Sequence, residues 1–380
     1  MKNTNAIFFS LLFLLAISSC GNGSNTNQVV GQEENRESSQ AFKVDTISTD
    51  LNSIWGMAFL PDGRILLNEK EGVIRIVQDG KLLEERVENV PEVFYQGQGG
   101  LLDIQLHPQY EENGWIYLSY SKAVGNGAIT ALTRARLDGN KLVDVEEIFL
   151  TEPVVRSSHH FGSRIAFDND GYLYITVGER GTKENAQDLS NHYGKVHRLH
   201  DDGRIPEDNP FVGDANAKGS IWTYGNRNMQ GLYYDKDTGI LWEHEHGPKG
   251  GDELNIIEKG KNYGWPVITY GVDYDNSIIS DITEKEGMEQ PVHYWVPSIA
   301  VCGLTMVKGD MFPGWEGNLL VGALAQKHVA RLKLDGTKVV EEERLLQDVA
   351  RVRSVAQSPD GYIYVGTEGP GMLLRLSPQE

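Results

Sequence analysis

Six times along the chain an apolar strand runs into a tight turn and out into a second apolar strand, and this repeat restricts the fold more than any other feature. The clearest copy is Met57-Ala58-Phe59-Leu60-Pro61-Asp62-Gly63-Arg64-Ile65-Leu66-Leu67. Val355-Ala356-Gln357-Ser358-Pro359-Asp360-Gly361-Tyr362-Ile363-Tyr364-Val365 repeats it closely, and Ile165-Ala166-Phe167-Asp168-Asn169-Asp170-Gly171-Tyr172-Leu173-Tyr174-Ile175 is a third copy. Looser copies begin near Leu102, Gln230 and Leu304. Asp-Gly supplies the positive φ of a tight hairpin, and the Ile, Val, Tyr and Leu flanks suit strands. One hairpin cannot bury both of its faces. Four-stranded blades stacked around an axis can, and they leave only short, protected edges. A further strand follows each hairpin, such as Val73-Ile74-Arg75-Ile76-Val77. The last copy, ending in Met372-Leu373-Leu374-Arg375-Leu376, is one strand short of a blade. Phe42-Lys43-Val44-Asp45-Thr46-Ile47, ahead of the first copy, is placed to supply it. The predicted fold is all-β: a six-bladed β-propeller of four-stranded antiparallel blades over residues 42–380, its ring closed by an N-terminal strand. A β-sandwich is the alternative, and six similar hairpins in series argue against it.

Residues 1–41 read as targeting rather than fold. Lys2 precedes an apolar run from Ala6 to Ile17, too short for a spanning helix, which ends in Ile17-Ser18-Ser19-Cys20-Gly21. Small residues closed by Cys after an export run form the bacterial lipoprotein pattern. Residues 1–19 are thus expected to be a signal peptide and Cys20 the lipidated N-terminus. Residues 20–41 are polar and Gly-rich, the composition of a flexible tether. Gly21 carries no inner-membrane retention signal, so the expected location is the periplasmic side of the envelope, on the outer membrane. Cys302 is the only other thiol, so the mature chain has no internal disulfide. With 39% hydrophobic residues in 380, a large core can stand in for one. The net charge of −19, without a run of Lys and Arg, argues against nucleic acid as a partner and limits membrane contact to the anchor.

Four segments exceed what a blade needs. Gln96-Gly97-Gln98-Gly99-Gly100-Leu101-Leu102-Asp103 is glycine-rich enough for close backbone approach to a ligand. Ser157-Ser158-His159-His160-Phe161-Gly162-Ser163-Arg164 puts two His before a strand, and His is the default general base near neutral pH. Tyr224-Gly225-Asn226-Arg227-Asn228-Met229-Gln230-Gly231 offers donors to a planar, oxygen-rich ligand. Glu243-His244-Glu245-His246-Gly247-Pro248-Lys249-Gly250-Gly251-Asp252-Glu253 crowds acids, Gly and Pro together, which suits Ca²⁺. Its His-x-His spacing also permits Zn²⁺, although the three nearby acids and the absence of Cys favour Ca²⁺.

The ordered set resembles the PQQ-dependent aldose sugar dehydrogenases, relatives of the soluble quinoprotein glucose dehydrogenase. It comprises Gln98-Gly99-Gly100-Leu101-Leu102-Asp103, His160 with Arg164, Ile205-Pro206-Glu207-Asp208-Asn209-Pro210-Phe211, Arg227-Asn228, His246-Gly247-Pro248, Asp252-Glu253 and Arg351 with Arg353. The resemblance implies oxidation of the anomeric hydroxyl of aldose sugars to aldonolactones, with pyrroloquinoline quinone (PQQ) and Ca²⁺ as cofactors and hydride passing to the quinone C5. It implies His160 as the general base, with Arg227 and Asn228 over the developing charge. Carbonyls of Gly247 and Pro248 would hold the catalytic Ca²⁺. Arg351 and Arg353 would clamp cofactor carboxylates, and Tyr274 and His246 would touch the cofactor. Gln98 and Asp252 would face substrate. Glu253, the Tyr263 backbone and Asp273 would form a second Ca²⁺ site. A lysine that the family often places after Gly-Ala-Leu is missing: Gly322-Ala323-Leu324 is followed by Ala325 and Gln326, which leaves Lys327 as its replacement. Met229 stands where Pro is usual. His159 stands where the glucose branch has an acid that steers the base. The electron acceptor, a respiratory carrier or cytochrome, is not named by the sequence. The competing readings are a Ca²⁺-dependent lactonase and a non-catalytic binding propeller with a decayed cofactor site.

Overall fold

The computed structural model describes residues 42–379; the expected signal peptide, Cys20 and the expected tether lie outside the described residues. Each hairpin copy becomes the first two strands of one four-stranded antiparallel sheet. The first blade is Ile54–Phe59, Ile65–Glu69, Val73–Gln78 and Lys81–Arg86. The second is Leu101–Leu106, Trp115–Val124, Gly127–Asp138 and Lys141–Leu150, and the third Ile165–Phe167, Leu173–Val177, Lys195–Leu199 and Ile221–Tyr224. The fourth is Met229–Asp235, Ile240–Glu245, Asp252–Ile256 and His293–Trp295, and the fifth Val301–Met306, Leu319–Ala323, His328–Asp335 and Lys338–Leu345. The sixth takes Arg351–Gln357, Ile363–Glu368 and Gly371–Pro378 from the C-terminus and adds Phe42–Leu51 outside them. Phe42 pairs with Pro378 and Val44 with Leu376, so the expected ring closure is present. Short helical segments at Tyr110–Asn113 and Lys183–Ala186 are the only helices among the described residues.

The first strands of successive blades contact one another in sequence, and that of the sixth contacts that of the first. They therefore form the inner wall of the ring. Their burial is nearly continuous, as in Val301–Met306, because blades cover both faces. The Leu, Ile and Val side chains between neighbouring blades form the core, for example Ile74, Ile76, Ile104 and Leu118 between the first and second.

Five of the six inner strands shift register near their starts, at Ile54/Gly56, Leu101/Ile104, Met229/Gly231, Cys302/Leu304 and Val352/Ser354. Such bulges re-aim a side chain that regular alternation would send into the blade. Trp55, Gln230 and Arg353 sit at these irregularities. The site of interest accordingly lies at the inner-strand starts, and the Asp-Gly hairpin turns lie at the other ends of the same strands.

On the axis, one side chain ties the ring together. The Arg164 guanidinium donates to the carbonyls of Trp55 (3.0 Å), Gln230 (2.8 Å) and Arg353 (3.2 Å), and to Asp103 Oδ1 (3.3 Å). It also lies 3.7 Å from Cys302 Sγ and stacks 4.0 Å from the Trp55 ring centroid. Asp103 is buried, and its carboxylate also accepts from the amides of Ile104 and Ile165. Removing the guanidinium leaves that carboxylate without a counter-charge and takes a donor from three inner-strand carbonyls. Arg164→Leu is therefore expected to destabilise the chain by about 3–5 kcal/mol, read from denaturant unfolding. A loss below about 1 kcal/mol, the scale of a surface pair, would contradict the axial role.

Candidate active site

His160 is fixed before its ring does anything. Its backbone φ of 51° is rare for a residue with a Cβ. Two neighbours hold it there. The Gln98 side-chain oxygen accepts the His160 N–H at 2.7 Å, and Gly178 packs so closely that a Cβ would collide with the His160 carbonyl. The Gly-rich loop before Leu101 thus positions the base through Gln98.

The ring is oriented by Glu179, whose Oε2 lies 2.7 Å from His160 Nδ1. Glu179 is buried. Burial would raise its pKa, but the hydrogen bond to His160, the Arg227 charge and the Gly181 amide hold it below the usual carboxylate range. An ionised carboxylate only accepts, so Nδ1 carries the proton and the Nε2 lone pair is left to take another. Burial also lowers the His160 pKa, with Arg227 and His159 acting the same way and Glu179 opposing them. The imidazole is therefore neutral at neutral pH, the form a general base needs. The acid that steers the base comes from position 179 rather than 159. In the sequence Glu179 shows only as an acid after a strand, next to Gly178 and two before Gly181.

A cavity of about 350 Å³ opens between the inner strands, bordered by Phe161 and Gly162, which follow His160, and by Gln98, which accepts the His160 N–H. Trp55, Lys70, Gln98, Asn228, His246, Arg351, Arg353 and Glu368 line it. Arg351 and Arg353 share a face as expected, and both grip Glu368: Arg351 Nε donates to Oε1 at 2.9 Å and Arg353 Nε to Oε2 at 3.0 Å. Burial alone would raise the Glu368 pKa; Arg353, Arg351 and the Ser53 hydroxyl outweigh it and hold the group at about 2. The pair therefore keeps its geometry across any physiological pH. Arg353 also reaches Gln230 Oε1 and Cys302 Sγ. Asn228 accepts the Gly162 N–H through its side chain and the His246 N–H through its carbonyl.

Arg227 is buried, and its Nη1 donates to the carbonyls of His246 (2.9 Å) and Gly247 (3.0 Å). Its Nε has no partner. Gly247 must be glycine, since a Cβ would collide with backbone atoms of Gly250 and Gly251. A space of about 10 Å³, enough for one water or ion, lies between Arg227, Glu245, Gly247, Glu253 and Tyr263. Glu245 faces Glu253 across paired strands. Burial pushes the Glu245 carboxyl up to about 7; burial and then the Glu245 charge push Glu253 well above its usual range. Glu245 accepts the Arg227 N–H, and the two acids with nearby backbone carbonyls offer oxygen ligands of the kind Ca²⁺ takes.

Several expected residues stand elsewhere. Asp252 is wholly buried; it accepts from the Gly247 amide at 2.9 Å, the Ser298 hydroxyl and the Ala300 amide, so it braces the Gly247 loop and cannot face a substrate. Asp273 is paired with Lys183 at 2.6 Å and does not border the space beside Glu253 and Tyr263. Tyr274 is 68% exposed, because Asp273 and Ser277 close a turn that points it outward, and it does not line the cavity. Lys327 is exposed and also outside the lining. The Zn²⁺ alternative fails: Nε2 of His244 and of His246 are each spent on carbonyls of the fifth blade, Gly303 at 3.0 Å and Val301 at 2.6 Å. Among the described residues no three His, Cys, Asp or Glu side chains converge on one metal position. Asp208 and Asn209 of the 205–211 loop bind Arg198 of the third blade.

The sequence pattern of the family described as Glucose / Sorbosone dehydrogenase matches residues 51–375. The chain belongs to that family. It is 43% identical over 344 residues to an aldose sugar dehydrogenase of Escherichia coli, YliI, covering 88% of this chain and 93% of the relative. The apo-form crystal structure of a soluble aldose sugar dehydrogenase from E. coli superposes with a TM-score of 0.86 at 41% identity, covering 89% of this chain and all of that one. A PQQ-bound aldose sugar dehydrogenase from Streptomyces coelicolor superposes with a TM-score of 0.74 at 29% identity, over 89% and 98% of the two chains.

The His160 ring is expected to titrate below the ordinary histidine value of about 6.5. Since the Glu179 charge raises that pKa, Glu179→Gln should lower it further. An NMR titration of the histidine ring resonances, assigned with His160→Ala, checks both directions.

Proposed function

We propose that the chain oxidises the anomeric hydroxyl of aldose sugars to aldonolactones, with PQQ and Ca²⁺ as cofactors. The broader assignment, a sugar-oxidising oxidoreductase, follows from the family. The observation that carries the finer one is a neutral, carboxylate-oriented imidazole whose chain neighbours Phe161 and Gly162 border a cavity walled by paired arginines. The residues fit the cofactors: Arg351 and Arg353 suit a planar polycarboxylate, the buried Arg227 Nε lacks an acceptor, and Glu245 and Glu253 border a space about the size of one ion. When bound, PQQ would supply the hydride acceptor and Ca²⁺ the Lewis acid that draws charge from it.

The chain's own residues do the rest. His160 Nε2 takes the anomeric hydroxyl proton as hydride leaves the sugar C1. Glu179 stabilises the resulting imidazolium without taking its proton, because its own pKa is held low. Arg227, pinned by the His246 and Gly247 carbonyls, presents a fixed positive charge that costs no reorganisation during reaction. One Gly247 oxygen lone pair goes to Arg227; the second, with the Pro248 carbonyl, remains for Ca²⁺. Glu253 and the Tyr263 backbone would hold a second Ca²⁺, with Glu245 in place of Asp273. The lactonase reading needs several carboxylates converging on the axis, where the one acid described, Asp103, is paired with Arg164. A non-catalytic propeller has no use for a strained, acid-paired His160. Electrons would pass on to a respiratory carrier or cytochrome, and Cys20 would tether the enzyme by lipid to the periplasmic side of the outer membrane.

Dye-linked oxidation of several aldoses should require PQQ and Ca²⁺ together, and His160→Ala should lower kcat about 10²–10⁴-fold. Turnover without PQQ, or unchanged turnover in that variant, would sink the reading. Fractionation of cells making the full chain tests the anchor: Cys20→Ser should move the protein from membrane to soluble fraction, and an unchanged distribution would count against lipidation.

A further inference from the structure

Lys70 follows the second strand of the first blade and lines the same cavity as Arg351 and Arg353. Its Nζ donates to the Gly97 carbonyl at 2.6 Å and lies 5.8 Å from the Tyr95 ring centroid. An ammonium has three donors, and among the described residues no carboxylate pairs with this one. Three cationic side chains thus border one space. A single carboxylate answers them, Glu368, and the two arginines occupy both of its oxygens. Lys70 is electrostatically part of that group: burial lowers its pKa, the Arg353 charge lowers it further, and Glu368 opposes. A partly desolvated cation beside another cation weakens the folded protein unless an anion joins them. Lys327 is exposed outside the lining and does not supply this charge.

We propose that Lys70 is a third cationic contact for the cofactor, binding a carboxylate at the first-blade side of the cavity while Arg351 and Arg353 bind the rest. This rests on the PQQ reading above. It also ties cofactor binding to the base. The Gly97 carbonyl held by Lys70 precedes Gln98, whose side chain fixes His160.

The test is equilibrium titration of the full-length apo-protein with PQQ, followed by tryptophan fluorescence (Trp55 lines the cavity) and quinone absorption at several salt concentrations. Lys70→Met should weaken binding about 10- to 100-fold and flatten its salt dependence, since one charge contact is gone. Lys70→Arg should restore both, and Lys327→Met should bind as the unmodified chain does. Unchanged affinity in Lys70→Met would overturn the assignment. So would weakened affinity with unchanged salt dependence, which would report only the lost Gly97 contact. Failure of the unmodified chain to bind PQQ at all would overturn the quinone reading and this assignment together.

Discussion

The Arg164–Asp103 pair on the propeller axis is the constraint on which the rest of the structure depends. Arg164 precedes the inner strand of the third blade and reaches the inner strands of the other five. Hydrophobic packing joins each blade only to its neighbours, so it cannot by itself fix the width of the ring. One guanidinium with five donors can, because its partners are inner-strand carbonyls and a buried acid. The same contacts hold Trp55, Gln230 and Arg353, whose side chains wall the cavity above. Packing, axis and site are therefore one mechanical unit.

Charge is distributed against the average. The chain carries a net −19, yet Lys70, Arg351 and Arg353 surround one cavity and Arg227 lies close by. Low-dielectric walls strengthen these charges locally, while the acidic surface repels other anions. A planar polycarboxylate is the type of ligand this arrangement selects. Glu368 sets the arginine geometry in advance, so binding costs little rearrangement.

Much of this was legible in the sequence. The hairpin turns announced six blades, since Asp-Gly and strand alternation are local signals, and Phe42–Ile47 was recognisable as the closing strand because the last blade lacked one. Arg351 and Arg353 line one cavity, as their spacing of two on a strand predicts, whereas the roles of His160, Arg227 and Gly247 came from the resemblance. The failures share a physical cause. Lys70, Glu179 and Glu368 owe their roles to partners in other strands or blades, and no spacing rule links Lys70 to Arg353 or His160 to Glu179. The resemblance placed Asp252 facing substrate and Asp273 in a second Ca²⁺ site. Folding turned Asp252 beneath the Gly247 loop and gave Asp273 to Lys183. Lys327 was the nearest lysine in sequence to the gap at Ala325, but nearness along a strand end does not bring a side chain into the channel.

The most direct measurement is a single-turnover experiment on the full chain loaded with PQQ and Ca²⁺, mixed without dye with glucose bearing either hydrogen or deuterium at C1. The account predicts reduction of the bound quinone by sugar alone, several-fold slower with deuterium, and lost in His160→Ala. Loading with PQQ but no reduction by any aldose, or reduction at the same rate with both isotopes in a step shown to be chemistry-limited, would contradict it.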